Sequence, residues 1–453
     1  MTTPGFASGP PPTSRSPRTR IRRRISALQA DDIAWSGFAL LSSSAVTSAM
    51  GLGYWFLAAR LFDEADLGRA TALTAAMLLV TSLGTAGLKR GLIRFVPAGG
   101  PRVGRLVLQT YATGLIAAAV LGLMLLAGIG GWSGEIPLIS SGIAGPALFL
   151  VAIAIWGIFA LQDPVLIGAG RSTVVLAENA AFAAGKIAVL LLGSLLLDAE
   201  LSVLLSWVVP ALVAGIVVNR LLFRQQFPEM AALPPIEAIT LRDVIRFTGG
   251  EYVAALAWLG AVYVTPLIVI ERVGPRASAH LYLALQIGYA LFLVSSSITD
   301  AFVAHASVLA DELSARTRAM SRRLSILLVP AVGVTLATAP WIMGLFGSHY
   351  RTDGTEALRW LALAAIPNAI TTVLVAIAHA RRRIWLVVVV QSTMAALTVV
   401  GELVLVERSG IAGVALAWFL AQTASALLAT ILTVCSETRR GIHDAPVSSA
   451  SPI

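Results

Sequence analysis

Long apolar runs recur along almost the whole chain, and most charged residues fall between the runs. Each run is near the roughly 20 residues that a helix needs to cross about 30 Å of hydrocarbon. A membrane barrel would show alternating strands of about ten residues instead. Backbone polar groups in lipid must be satisfied within the segment, so continuous runs of this length predict helices. Twelve spans are expected, at about 33–57, 70–88, 106–130, 136–160, 172–197, 201–223, 247–270, 280–303, 323–346, 358–379, 384–406 and 411–434. For the second, an extension past Lys89-Arg90 stays open. The first run is far longer than the 7–15 apolar residues of a signal peptide and predicts a retained span.

The formal charge of +9 invites a nucleic-acid reading. The basic residues sit at span ends and not on one domain face, which excludes it. Alternate connections carry 25 Lys and Arg on one side and 7 on the other, with Lys186 left inside a span. The positive-inside rule then places both termini in the cytoplasm. Only 13% of residues are charged, about half the share of a soluble domain. Only two of the 33 basic residues are lysine, a bias that suggests a GC-rich bacterial genome. The one cysteine, Cys435, cannot form an intramolecular disulfide.

Residues 1–30 are rich in Pro, Ser, Gly and Arg and predict a disordered basic cytoplasmic tail. Its Arg20–Arg24 stretch reads as a topology signal or a contact for anionic lipid. The expected organisation continues with a six-helix bundle over 31–223 and a cytoplasmic linker over 224–246 containing Pro234-Pro235. A second six-helix bundle over 247–435 and a disordered tail over 436–453 complete it. The 212 residues between Arg60 and Arg272 also separate Arg171 from Arg383 and Asn179 from Gln391. That register points to an internal duplication. Because six is even, the halves would be a parallel repeat about an axis along the membrane normal.

No catalytic or metal motif is present, and the five histidines lack ligand spacing. The residues of interest are polar groups inside apolar spans, where a charge costs roughly 2.5–3.5 kcal/mol and so faces a partner or a watery cavity. Lys186 stands near the middle of the fifth span, and Glu178 lies eight residues earlier beside Asn179. Glu251, Gln286, Asn368 and Gln391 are each either helix–helix hydrogen bonds or substrate contacts. Asp300 and Glu402 fall nearer interfaces, where a solvated charge is unremarkable. Ser43, Ser44, Thr47 and Ser48 stripe the first span, suiting close packing and cavity lining equally.

The stretch Ala59-Arg60-Leu61-Phe62-Asp63-Glu64-Ala65-Asp66-Leu67-Gly68 precedes Leu83-Gly84, Gly87-Leu88 and Arg94-Phe95-Val96-Pro97. Together they resemble the opening of bacterial polysaccharide-biosynthesis flippases of the multidrug/oligosaccharidyl-lipid/polysaccharide exporter superfamily. Leu345-Phe346-Gly347 through Tyr350, Leu358-Arg359 with Leu363 and Pro367, and the run Gly410–Ala417 resemble its second half. The resemblance implies an all-α integral membrane protein with about twelve spans in two pseudo-symmetric six-helix bundles around a cavity. It implies a flippase, not an enzyme, in the bacterial cytoplasmic membrane, moving a polyprenyl-diphosphate-linked saccharide. Arg60 and Gly68 would shape the turn after the first span, and Arg94 would lie near the cavity mouth. The cavity candidates are Lys186, Glu178, Asn179, Glu251 and Gln286, from their positions inside apolar spans, and Arg94, from the resemblance, with no cofactor and no nucleic acid. Partners would be the lipid-linked saccharide, membrane lipids, and glycosyltransferases and polymerase of polysaccharide synthesis. A multidrug exporter of the same superfamily, a polyprenyl-sugar glycosyltransferase and a major-facilitator transporter stay open as alternatives. Asp63-Glu64 superficially match the glycosyltransferase acidic motif, and the Asp-Arg and Gly-Arg-Arg pattern of the facilitators is missing around 89–105.

Overall fold

A computed structural model describes residues 50–128, 136–140, 142–231, 240–306, 313–381 and 383–443. The tail arginines and the Ser/Thr stripe of the first span lie outside these residues. The described residues form helices: α1 (50–61), α2 (Glu64–Phe95), α3 (Val103–Gly128), α4 (Pro137–Ser140), α5 (Ala144–Gly168), α6 (Ser172–Gly193) and α7 (Ala199–Leu221). A π turn, Leu222–Gln226, leads into α8 (Phe227–Ala231). Then come α9 (Leu241–Arg272), α10 (Pro275–Ala306), α11 (Leu313–Phe346), α12 (Ser348–Ala380) and α13 (Ile384–His443). The last is two arms folded at Ser409 and Gly410, whose backbone leaves helical geometry. Ten of the helices are long and apolar enough to cross a membrane. Counting the two arms of α13 separately gives eleven among the described residues, and α1 is the described end of the first expected span, in keeping with an all-α membrane protein of about twelve spans.

Displacement by the 212 residues that separate Arg60 from Arg272 lays each helix of the first set on one of the second. The end of α1 falls on that of α9, α2 on α10, α3 on α11, α5 on α12, and α6 and α7 on the two arms of α13. Boundaries agree to within about a turn for most pairs; α12 begins two turns before its counterpart and α11 ends later than its own.

Packing sorts the helices by their neighbours. α2 is the most enclosed, with 83% of its apolar window buried against 22% for α3 and α6. It packs against α3 and α5 on one side and against α9 and α10 on the other. Small residues make this possible: Ala70, Ala72, Ala75 and Ala76 are buried beside Leu67, Leu73 and Met77. Closest of all is Gly68, where an added Cβ would stand 1.8 Å from the Pro275 carbonyl oxygen. Large apolar side chains point outward instead, as Ile116, Val120, Leu123 and Met124 do on α3. In water such a surface would aggregate; in lipid it is the solvated face. Threonine hydroxyls inside the spans donate to the carbonyl one turn back, for example Thr85 to Thr81 and Thr110 to Leu106, each at 2.8 Å.

Several boundaries differ from expectation. The helix of the second span starts at Glu64 and not at 70, because Asp63 caps it by accepting from the Ala65 amide at 3.2 Å. Gly68 is therefore inside α2 rather than in the turn. It does run past Lys89-Arg90, to Phe95. The fourth span was expected at 136–160 but lies at Ala144–Gly168, since Gly142 turns the chain at φ +61° after the short α4. Helix also occupies 222–231 of the expected linker, and α13 continues to His443, through residues expected to be a disordered tail.

Candidate functional site

Three buried features are built by these helices, two of them polar clusters and one an aromatic cage around a cation. The cage belongs to Lys186 on α6, which is 7% exposed. Its ammonium nitrogen stands 4.0 Å from the ring centre of Tyr54 on α1 and 4.1 Å from that of Trp207 on α7, with Phe182 at 5.9 Å. Ring faces carry negative charge density, and each such contact contributes roughly 0.5–2 kcal/mol. No ion pair or hydrogen bond joins Lys186 to another described residue. Trp156 extends the cage, 5.1 Å from Trp207. The Tyr54 hydroxyl is fixed by the Ser206 hydroxyl at 2.7 Å. Trp55, next to Tyr54, meets Tyr282 on α10 at 4.7 Å, and Gln286 follows Tyr282 by one turn on that helix. The cage thus continues into the contact between the first six spans and the last six. Lys186 was expected to face a watery space; in this conformation aromatic rings enclose it.

The second feature lies toward the other end of the same spans. Gln162 and Asp163 on α5 face Glu178 and Asn179 on α6, with Asn219 on α7. Gln162 donates to Glu178, Asn179 to Asp163 at 3.2 Å, and Asn219 to Gln162 at 3.3 Å. Lys89 on α2 attracts Asp163 through space. One oxygen each of Asp163, Glu178 and Asn219, and the Tyr111 hydroxyl, are buried without a protein hydrogen bond. Such unsatisfied oxygens leave capacity for water, protons or a cation. Glu178 and Asn179 therefore share a cluster with each other and not with Lys186.

The third centres on Glu402 in the first arm of α13, 0% exposed. Trp418 donates its indole N–H to Glu402 at 2.8 Å, and Thr265 donates its hydroxyl. Trp258 and Tyr289 flank Trp418 at 6.0 and 5.8 Å. Glu402 was expected near an interface as a solvated charge; tertiary packing from α9 and the second arm encloses it completely. On the 212-residue displacement Lys186 corresponds to Thr398 and Glu402 to Leu190. The two halves have equivalent helices yet bury opposite charges one turn apart.

The remaining candidates scatter. Arg94 ends α2, its guanidinium 5.6 Å from the Phe95 ring. Asn368 donates to Gln422 at 3.4 Å, a bond between helices. Gln391 is half-buried on α13, whereas the side chains of Glu251 and Asp300 lie outside the described residues. Arg60 does not shape a turn; it donates to the Leu345 carbonyl at 2.6 and 3.1 Å, tying the end of α1 to the end of α11. Sequence reasoning missed Gln162, Asp163, Tyr111, Asn219 and the aromatic rings.

No protein-family model and no curated protein matches the sequence. The fold is nevertheless shared with solved structures. The chain is similar to the inward-facing form of a multidrug resistance MATE family transporter of the MOP superfamily, with TM-score 0.68 and 14% identity over 88% of this chain and 96% of that one. It is similar to the lipid II flippase MurJ in its inward closed conformation, with TM-score 0.68 and 12% identity over 86% of each chain. A MOP superfamily transporter from Pyrococcus furiosus Vc1, described as having a binding pocket of reverse polarity, gives TM-score 0.59 and 13% identity over 88% and 94%. The chain therefore has the fold of MOP superfamily transporters, seen in multidrug exporters and in a lipid-linked flippase alike.

Proposed function

We propose that the chain is a transporter that moves a polyprenyl-diphosphate-linked saccharide across the bacterial cytoplasmic membrane, with both termini in the cytoplasm. The observation that carries this reading is Lys186: a buried ammonium, held by rings instead of a carboxylate, beside the contact between the two sets of spans. An uncompensated cation there favours an anionic cargo. A diphosphate headgroup cannot cross hydrocarbon unaided, whereas its polyprenyl tail is at home in it. Rocking of the two halves would expose Lys186 and its aromatic neighbours to the headgroup and the sugar while the tail trails in lipid. Glycosyltransferases and a polymerase would then act before and after it.

A second reading is a multidrug exporter, favoured by Glu402 within Trp258, Tyr289 and Trp418 and by the Asp163–Glu178 cluster. Aromatic rings with a carboxylate suit an organic cation. Purified protein in proteoliposomes separates the two. Translocation of a labelled polyprenyl-diphosphate saccharide, abolished by Lys186→Gln, supports the flippase. Uptake of an aromatic dye cation, lost in Glu402→Gln but kept in Lys186→Gln, overturns it.

A further inference from the structure

Outside these buried features, one open cleft collects positive charge from two distant stretches of sequence. It lies between the start of α3 and the start of α9, has a volume of about 390 Å³, and is lined by Arg102, Arg105, Gln109, Arg242, Thr240 and two leucines. We infer that this cleft binds a phosphate-bearing anion at the membrane surface, with Arg102, Arg105 and Arg242 as its ligands. The inference does not depend on which cargo the transporter carries.

Three arginines line one cleft, and none has an ion pair with a carboxylate among the described residues. Next to Arg242 in the chain stands an acid, Asp243, in the first turn of α9. Its carboxylate is already engaged by the Thr240 amide at 2.8 Å and the Thr240 hydroxyl at 2.6 Å, closing a capping box. Among the described residues the cleft lining holds three cations and no acid. The N-terminal end of α9, a helix of 32 residues, adds a partial positive charge from its free amides. Each guanidinium offers a planar fork that matches two phosphate oxygens, a geometry that a lysine would not supply. Gln109 provides an amide donor at the wall.

The plainer account is that these arginines only fix topology. That role needs charge at span ends, but it does not need residues from α3 and α9 to meet around a cavity. The same end of the molecule carries Arg318, Arg322 and Arg323 on α11, which satisfy the topological requirement equally and do not line this cleft. Those three residues are the control.

The full-length protein would be studied in zwitterionic detergent and in nanodiscs of phosphatidylcholine containing phosphatidylglycerol. Inorganic pyrophosphate binding in detergent reads a soluble anion; phosphatidylglycerol retained by the protein in native mass spectrometry reads a lipid headgroup. Binding of either probe, weakened at least tenfold by Arg102→Gln with Arg105→Gln and Arg242→Gln, supports the site and names its source. The triple Lys replacement keeps the charge and the topology signal and removes the fork, so it should fall between wild type and the Gln triple. It serves as the test if the Gln triple fails to insert. Equal loss in Arg318→Gln with Arg322→Gln and Arg323→Gln would reduce the effect to general surface potential and overturn the inference. So would unchanged binding in the cleft triple, or no binding of either probe to the wild type.

Discussion

The imidazole of His280 on α10 stands 3.2 Å from the Glu64 carboxylate on α2, joining the first six spans to the last six at the end away from the arginine cleft. Its other nitrogen is 3.4 Å from Asp353 on α12, and the ring packs 4.5 Å from Tyr350. With Arg60 on the Leu345 carbonyl, these contacts tie that end together, and the rocking proposed above would require them to break. Glu64→Gln should weaken the latch by about 1 kcal/mol, roughly a fivefold rise in the open fraction. The measurement is thiol labelling of Ser278→Cys, buried at the latch, in a Cys435→Ser background. An unchanged labelling rate would show that the latch does not limit opening.

Gly68 tests how tightly α2 must approach α10. The added methyl of Gly68→Ala would meet the Pro275 carbonyl, which is backbone and cannot rotate away. Overpacking of this kind costs about 1–3 kcal/mol, so thermal unfolding in detergent should occur several degrees lower. Gly260→Ala, where nothing lies within 4 Å of the new carbon, should be neutral or slightly stabilising. Equal effects at both positions would mean that the close approach contributes nothing to stability.

The spans were legible because lipid imposes a strict length and polarity on each. The polar cluster was not, and the reason is specific. Ending the fourth span at 160 put Gln162 and Asp163 in a loop, whereas the turn at Gly142 shifts that helix eight residues on and carries both into the bundle. The apolar stretch Pro164–Gly168 that follows them was the available signal. Glu402 was misplaced for a different reason. Its position along α13 says interface, and only the packing of Thr265 and Trp418 around it, 137 and 16 residues away, makes it buried. Lys186 could be found from its position alone, but its cage could not, since Tyr54, Trp207 and Phe182 come together only when α1, α6 and α7 pack.

Glu402 makes a prediction of its own. Glu402→Gln keeps an amide oxygen to accept from Trp418 and Thr265, so stability should change little. Glu402→Leu removes the acceptor that both donors share and leaves the indole N–H only the Thr265 hydroxyl, at 3.2 Å, and that hydroxyl only the Ala261 carbonyl, at 2.9 Å, a loss of about 1.5–3 kcal/mol for a hydrogen bond to a charged group. The unfolding midpoint should therefore fall clearly for Leu and barely for Gln. A fall of the same size in both would show that the charge itself, and not hydrogen-bond acceptance, stabilises this site.

Lys186 separates stability from function most sharply. A buried charge without a carboxylate partner is costly, and replacing buried ions by apolar residues of similar volume is often neutral or stabilising, by about 1–4 kcal/mol in documented cases. Loss of the ring contacts offsets part of that gain, roughly 0.5–2 kcal/mol per contact. Lys186→Met should therefore leave the unfolding midpoint unchanged or raise it, with normal abundance in the membrane. Translocation of a polyprenyl-diphosphate saccharide should fall at least tenfold in the same variant, and Lys186→Arg should retain an appreciable part of it. Both variants are read in proteoliposomes, alongside unfolding in detergent. Full transport by Lys186→Met would remove the ammonium from the mechanism. A midpoint that drops together with abundance would instead make Lys186 a packing residue, held by Tyr54 and Trp207 for the sake of the fold.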